Sequence, residues 1–275
     1  CLSRPIRLLR SGRDCGNDRR KREKMEERLN KWLSRMGVCS RREADRLIEA
    51  GKVLVDNRPA SMGQKVTPGQ KVVCNGRMVR VDKSRKPRPV LLAVNKPRGI
   101  VCTTTDKDRA ENIVDFLGYP ERIYPVGRLD KDSEGLLLMT NQGDLVNKIM
   151  RSGNAHEKEY IVTIDKPVTE HFLEQMAGGI RLPELDQVTR PCKVKKVERN
   201  TFSIILTQGL NRQIRRMCEV CGCQVRRLVR VRIMNIRLGN LRTGAYRQIT
   251  KEEYEELTGL LKDSSSLSLK ERKNR

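Results

Sequence analysis

Long apolar runs are missing from this sequence: nothing approaches the ~18 consecutive apolar residues that a membrane-spanning helix needs. Histidine is almost absent, with only His156 and His171, and both lie far from the tightest cysteine group, Cys218, Cys221 and Cys223. With no second Cys-x-x-Cys, that group lacks the ligands of a zinc site, so no metal is expected. There is no glycine-rich phosphate loop, hence no nucleotide cofactor, and no internal repeat. The nine cysteines are an odd number in a chain without a secretory signal. They are expected to be free thiols in a reducing, cytoplasmic setting.

Acid is the other shortage. Against 58 Lys and Arg stand 34 Asp and Glu, a net charge of +24 over 275 residues. Solubility alone rarely needs more than about 8 charges on a small domain. An excess of this size repels itself unless a polyanion shares the surface. Because the cations are spread along the chain and no span exists, nucleic acid is favoured over an anionic membrane. The rest of the composition, 37% hydrophobic and 33% charged, fits globular domains with a wide polar surface and disordered edges.

Residues 1–24 are Arg-rich and without steady periodicity, and Met25 stands just before the first patterned helix. Residues 1–27 are expected to be a disordered basic arm, with the native start at Met25. "RPIRLLRSG" admits a transit peptide, but Asp14, Asp18 and Glu23 count against it. Residues 28–75 read as a compact basic unit. Leu29, Trp32, Leu33 and Met36 fall at helical spacing before Gly37, and Ser40 with Glu43 forms a capping-box pattern opening a second helix through Ala44, Leu47 and Ile48. Strands are expected at "KVLVDNRPA" and "QKVVCNG". The two helices carry Lys31, Arg35, Arg41, Arg42 and Arg46, with only Glu43 and Asp45 to compensate, which marks them as phosphate-binding candidates.

Residues 76–90, with two prolines and many cations, are expected to be a linker, and 262–275 a disordered tail. Between them, residues 91–261 alternate strand-like runs ("VLLAVNK", "GLLLMT", "EYIVTI", "CKVKKVE", "TFSIILT", "IMNIRLG") with helical ones ("AENIVDFL", "GDLVNKIMR", "TEHFLEQMAG", "RQIRRMCEVCG"). Without regular βαβ alternation this predicts an α+β domain, a mostly antiparallel mixed sheet with flanking helices.

Three blocks carry chemistry. In "IYPVGRLDKDSEGLLLMTNQGDL", Gly127 ends an apolar approach, Arg128 and Asp130 follow, and Gly135 returns the chain to an apolar strand. This holds a carboxylate and a guanidinium on a turn between buried segments, where catalytic groups often sit. Aspartate also occupies turns simply to bond nearby amides, and Asp132 and Glu134 compete for any catalytic role. In "LTQGLNRQIRRM", Arg212, Arg215 and Arg216 cannot share one helix face. At least one is therefore expected to point inward, where it needs a carboxylate partner, and Asp130 is the candidate. In "HEKEYIVTI", Tyr160 opens a strand and is suited either to packing or to stacking on a base.

The stretch "RLNKWLSRMGVCSRREADRLIEAGKVLVDN" resembles an S4 RNA-binding domain, which implies that its two helices grip structured RNA. The three blocks, together with "LLAVNKPRGIVCTTTD" at 91–106, resemble the RsuA/RluB/RluE/RluF-type pseudouridine synthase family, closest to its RluF branch, over roughly residues 28–258. That resemblance implies isomerisation of a uridine in structured RNA, most nearly large-subunit (23S) ribosomal RNA. It makes Asp130 the essential carboxylate, Tyr160 the active-site tyrosine, Arg215 the basic partner of Asp130, and Arg128 the residue that helps displace the target base. Lys96, Arg212 and Arg216 join the RNA-binding set. The isomerisation needs no cofactor. An ordinary aspartate, with a pKa near 3.9, is ionised at neutral pH without an activating base. It can attack the sugar or remove a proton from C2′; the residues leave both open. A monomer without an obligate protein partner is expected. The alternatives are a related synthase acting on small-subunit RNA or a tRNA stem-loop, and a non-catalytic S4-type ribosome-assembly factor.

Overall fold

The computed structural model describes residues 26–79, 88–103 and 111–264. They fall into two compact units, one ending before position 88 and one beginning there.

In the first unit, β1 (Glu27–Arg28) leads into α1 (Leu29–Arg35) and α2 (Arg41–Glu49). Ser40 caps α2 by accepting from the Glu43 amide at 3.1 Å. Then come β2 (Val53–Val55), β3 (Arg58–Pro59), β4 (Lys65–Val66), β5 (Val72–Cys74) and β6 (Arg77–Met78). Asp56 and Asn57 both take left-handed φ, which makes the tight two-residue turn between β2 and β3. Strands β3-β2-β5-β6 form one sheet, and β1 pairs with β4. Leu29, Leu33, Ala44 and Ile48 pack on Val53, Val55, Val66 and Val72.

Three expected boundaries shift. Glu27 belongs to the folded unit rather than to an arm, since it pairs with Val66. Arg77 and Met78 pair with Cys74 and Val73, so the strand runs into the expected linker. At the linker's other end, Asn141 accepts from the Val90 amide and donates to the Arg88 carbonyl. The expected arm up to Met25, most of the linker and the tail from 265 lie outside the described residues.

The second unit contains β7 (Leu91–Lys96), α3 (Ile113–Leu117), β8 (Tyr124–Val126), β9 (Glu134–Thr140), α4 (Gly143–Met150), β10 (Lys158–Ile164) and α5 (Glu170–Gly178). It continues through β11 (Arg181–Leu182), β12 (Gln187–Val188), β13 (Lys193–Glu198), β14 (Thr201–Leu206) and α6 (Gln213–Val220). It ends with β15 (Val225–Ile233), β16 (Ile236–Arg237), β17 (Tyr246–Gln248) and α7 (Lys251–Leu260). The main sheet has the order β13-β14-β10-β15-β9-β7-β17, with β16 on β15 and β8 on β9. Its pairings are antiparallel except β15 with β9, so the sheet is mixed.

β7 and β9 read as unbroken apolar runs because both of their faces are covered. Leu136 and Leu138 face one core with α4 and α7, while Leu137 and Met139 face another with α3. A third core lies under α5 and α6, where Phe172 and Phe202 meet edge to face at 5.2 Å. Several elements differ from the sequence expectation, among them the short strands β8, β11, β12 and β17, which were not expected. The segment 233–239, expected as one strand, holds only the last residue of the nine-residue β15, a turn at Met234 and the short β16; the rest of β15 was not expected. Helix α7 was not expected; a full capping box between Thr250 and Glu253 starts it. The chain is also ordered beyond 261, where the Ser264 hydroxyl meets His156 at 2.8 Å.

Candidate active site

A cavity of about 470 Å³ opens in the second unit, lined by the turn at 127–133, by β10 and β15, and by the loop and helix at 206–215. Asp130, Tyr160 and Arg215, far apart in sequence, all line it, together with Arg128 and Arg212. Asp132 and Glu134 do not line it. Glu134 is instead ion-paired with Arg227 at 2.5 Å.

The Asp130 turn is held through its backbone. The Ser133 amide donates to the Asp130 carbonyl at 3.0 Å and Gly99 N–H to the Lys131 carbonyl at 2.9 Å. The Leu129 amide meets Cys102 Sγ at 3.4 Å. Lys96 Nζ donates to the carbonyls of Pro97 and Ser133, both at 2.8 Å. Arg215 Nη2 donates to the Asp132 carbonyl at 3.1 Å, with Ser133 Oγ at 3.4 Å. Groups fixed in this way sit in place before substrate arrives.

Glycine is required at two points. Gly127 has φ +77° with the Met150 side chain against it, and Gly135 has φ +101° with a Cβ position only 2.4 Å from the Arg230 carbonyl oxygen.

Tyr160 is half-buried on β10, where it packs against two of the cores. Arg215 lies on α6, whose first residue follows Arg212 in a left-handed conformation. Burial pulls the Arg215 pKa down, and the neighbouring Arg212 adds to this, while Asp130 and Asp132 oppose it.

Several expectations need correction. Arg215 points inward as expected, but its bonds go to the carbonyls of Asp132 and Val225 and to Ser133; no ion pair joins it to the Asp130 carboxylate among the described residues. Lys96 is fully buried and cannot meet RNA phosphate; it is the last residue of β7 and serves the turn. Arg216 is engaged by Glu184 and by Asn211, so it is not a free surface cation. In the first unit, Glu27 compensates Lys31 and Arg35 from β1, an acid the local reading did not count. Arg46 pairs with Glu43 at 2.7 Å, and Arg41 and Arg42 are exposed.

Two charged lining residues went unpredicted, Lys158 and Arg230. Lys158 stands two positions before Tyr160, hence on the same face of β10, a signal that was available. Arg230 was hidden with the whole of β15.

A family model described as RNA pseudouridylate synthase matches residues 90–220, and one described as S4 domain matches residues 27–72. The chain is 52% identical over 239 residues to the dual-specificity RNA pseudouridine synthase RluF of Escherichia coli (strain K12), covering 87% of this chain and 81% of that protein. It is 36% identical over 242 residues to the ribosomal large subunit pseudouridine synthase B of Bacillus subtilis (strain 168), covering 85% and 96%. A solved pseudouridylate synthase structure superposes with a TM-score of 0.61 at 27% identity, over 84% of this chain and 99% of that one.

Proposed function

Because this chain belongs to the RNA pseudouridine synthase family, we propose that it isomerises a uridine of large-subunit ribosomal RNA, with Asp130 as the acting carboxylate. The observation that carries this reading is the position of Asp130. Its turn is tied through the Ser133 and Asp132 carbonyls by the buried Lys96 and the half-buried Arg215, and it faces a cavity also lined by Tyr160.

The reaction breaks the bond between C1′ and N1, turns the base, and rejoins it through C5. Asp130 either bonds to C1′ or takes the proton from C2′. Tyr160 stacks on the base. Arg215 orients the turn and adds positive potential beside the carboxylate. Arg128, exposed at the mouth, enters the RNA where the target base leaves its stack, a displacement that costs a few kcal/mol. The first unit, from Glu27 through Met78, forms the RNA-gripping part, with Lys31, Arg35, Arg41, Arg42 and Arg46 contributing cations, and the second unit, from Arg88, forms the catalytic part. The large-subunit target rests on the name of the second relative above, the ribosomal large subunit pseudouridine synthase B. We place the protein in the cytoplasm, as a monomer.

Mapping pseudouridines in ribosomal and transfer RNA from cells with and without the protein tests the substrate; a lost site in large-subunit RNA is expected, and an unchanged map refutes the target. Asp130→Asn should lose pseudouridine formation while holding RNA within about threefold of the native affinity. Retained activity in that variant refutes the assignment of Asp130.

A further inference from the structure

Lys158 and Arg230 are 6% and 1% exposed, and both line the cavity. Arg230 lies directly opposite Tyr160 across the β10–β15 pairing, and on its other side pairs in parallel with Gly135, which follows the Asp130 turn. Lys158, Tyr160 and Arg230 therefore share one face of the sheet, and that face is the cavity floor.

Neither cation has a carboxylate within ion-pair distance among the described residues. Lys158 Nζ donates to the His156 carbonyl at 3.1 Å, and Arg230 Nε to the Leu136 carbonyl at 2.7 Å. Arg230 Nη2 is buried with no hydrogen-bond partner. Their neighbour Arg232, by contrast, is satisfied by Glu157 and Glu159. Two adjacent buried cations without counter-charge repel each other, and a carbonyl acceptor on each does not supply the negative charge that normally offsets burial. A fold keeps such a pair where a ligand supplies the missing charge. Burial and the Arg230 guanidinium together draw the Lys158 pKa down to about 8, still cationic at neutral pH.

We propose that Lys158 and Arg230 receive the carbonyl edge of the target uracil and hold the negative charge that the base acquires when it leaves the sugar; this rests on the synthase reading above. When C1′–N1 breaks, the electron pair departs with the base as an anion delocalised over N1, O2 and O4. C1′ meanwhile gains a bond to an Asp130 oxygen, or a double bond to C2′ with the C2′ proton on Asp130. After the base turns, C5 bonds to C1′ as the Asp130–C1′ bond breaks, or as Asp130 returns its proton to C2′; C5 then loses its proton and N1 gains one, which gives pseudouridine. Atoms and electrons balance without a further reagent. Throughout the turn the detached base is anionic and must be kept in the cavity. Fixed positive charge at two points of the floor does this with no reorganisation, since the base presents a carbonyl oxygen on either side of N3.

The test uses RNA carrying either uridine or 5-fluorouridine at the target position. Single-turnover loss of the target nucleoside is followed by digestion and mass spectrometry for the native chain, Lys158→Met, Lys158→Arg and Arg230→Lys. Fluorine at C5 withdraws electrons and stabilises the departing base, so it substitutes for part of the cationic floor. Lys158→Met should slow uridine cleavage by about 10²–10³-fold, the loss typical of one preorganised donor. It should slow 5-fluorouridine cleavage at least tenfold less, with RNA affinity within threefold and partial recovery in Lys158→Arg. Arg230→Lys, which keeps a cation but moves it, should show the same direction and keeps the test valid if the methionine variant misfolds. Equal slowing of both RNAs, or no slowing, overturns the proposal. A native chain that leaves both RNAs intact overturns the synthase reading, and this proposal with it.

Discussion

Lys158→Met should make the protein more stable. In the folded chain burial, aided by Arg230, lowers the Lys158 pKa from 10.5 to about 8. That difference corresponds to about 3 kcal/mol against the charged form in the folded state. Methionine has a similar length, carries no charge, and fills the same space between Leu206 and Ile233, the cross-strand neighbours of Lys158. Losing the bond to the His156 carbonyl gives back about 1 kcal/mol. The net gain is about 2 kcal/mol at pH 7, or roughly 4–8 °C in the melting of a unit of this size. The gain has a pH signature. Between pH 8 and 10.5 the native lysine sheds its proton in the folded state while the unfolded chain still holds it, so native stability rises with pH there. The advantage of the methionine variant therefore shrinks across that window. Thermal denaturation of both proteins at pH 7, 8, 9 and 10 measures it. A methionine variant less stable than the native chain, or an advantage constant across the series, refutes the view that an unpaired charge is being held in the cavity floor against the stability of the fold.

Gly135→Ala should cost about 3 kcal/mol or more in denaturant unfolding, because its Cβ would stand 2.4 Å and 2.8 Å from backbone atoms of Arg230, at φ +101°. A loss under about 1 kcal/mol would show that β9 and β15 can separate there. Lys96→Met should lower the single-turnover rate about 10–100-fold with RNA affinity unchanged, since it frees the carbonyls that hold the Asp130 turn. A salt-dependent loss of affinity instead would restore Lys96 to the RNA-binding set.

What could be read locally was read well. The helices at Leu29–Arg35 and Arg41–Glu49 announce themselves by spacing and by the Ser40 cap, and the Asp130 turn by its flanking glycines and apolar strands. Apart from α7, whose Thr250–Glu253 capping box is a local signal, the errors fall where the deciding partner is remote in sequence. Lys96 was expected among the RNA-binding cations, yet β7 carries it into the core and its ammonium meets a carbonyl 37 residues away. In β15, four arginines in nine residues conceal a strand, because Arg227 and Arg232 are satisfied by acids on β9, on β10 and just before β10. Arg216 looked free for the same reason, its carboxylate partner Glu184 lying in another element. Periodicity reports which face is apolar; it says nothing of which distant group neutralises a charge.

The departure from the expected Arg215–Asp130 pair bears on the chemistry. Had the guanidinium gripped the carboxylate, the oxygens that must reach C1′ or the C2′ proton would first have to be released, and a buried pair is costly to break. In the structure both supporting cations act on the main chain instead, Lys96 on the Ser133 carbonyl and Arg215 on the Asp132 carbonyl. The turn is fixed as firmly, while no hydrogen bond to the Asp130 carboxylate is formed among the described residues. Arg215, Lys158 and Arg230 bring positive charge to the lining of the same cavity as Asp130, where the proposal above places the base. Such an arrangement favours the two anions of the reaction in turn, the carboxylate before the bond breaks and the uracil after it, with the same fixed groups.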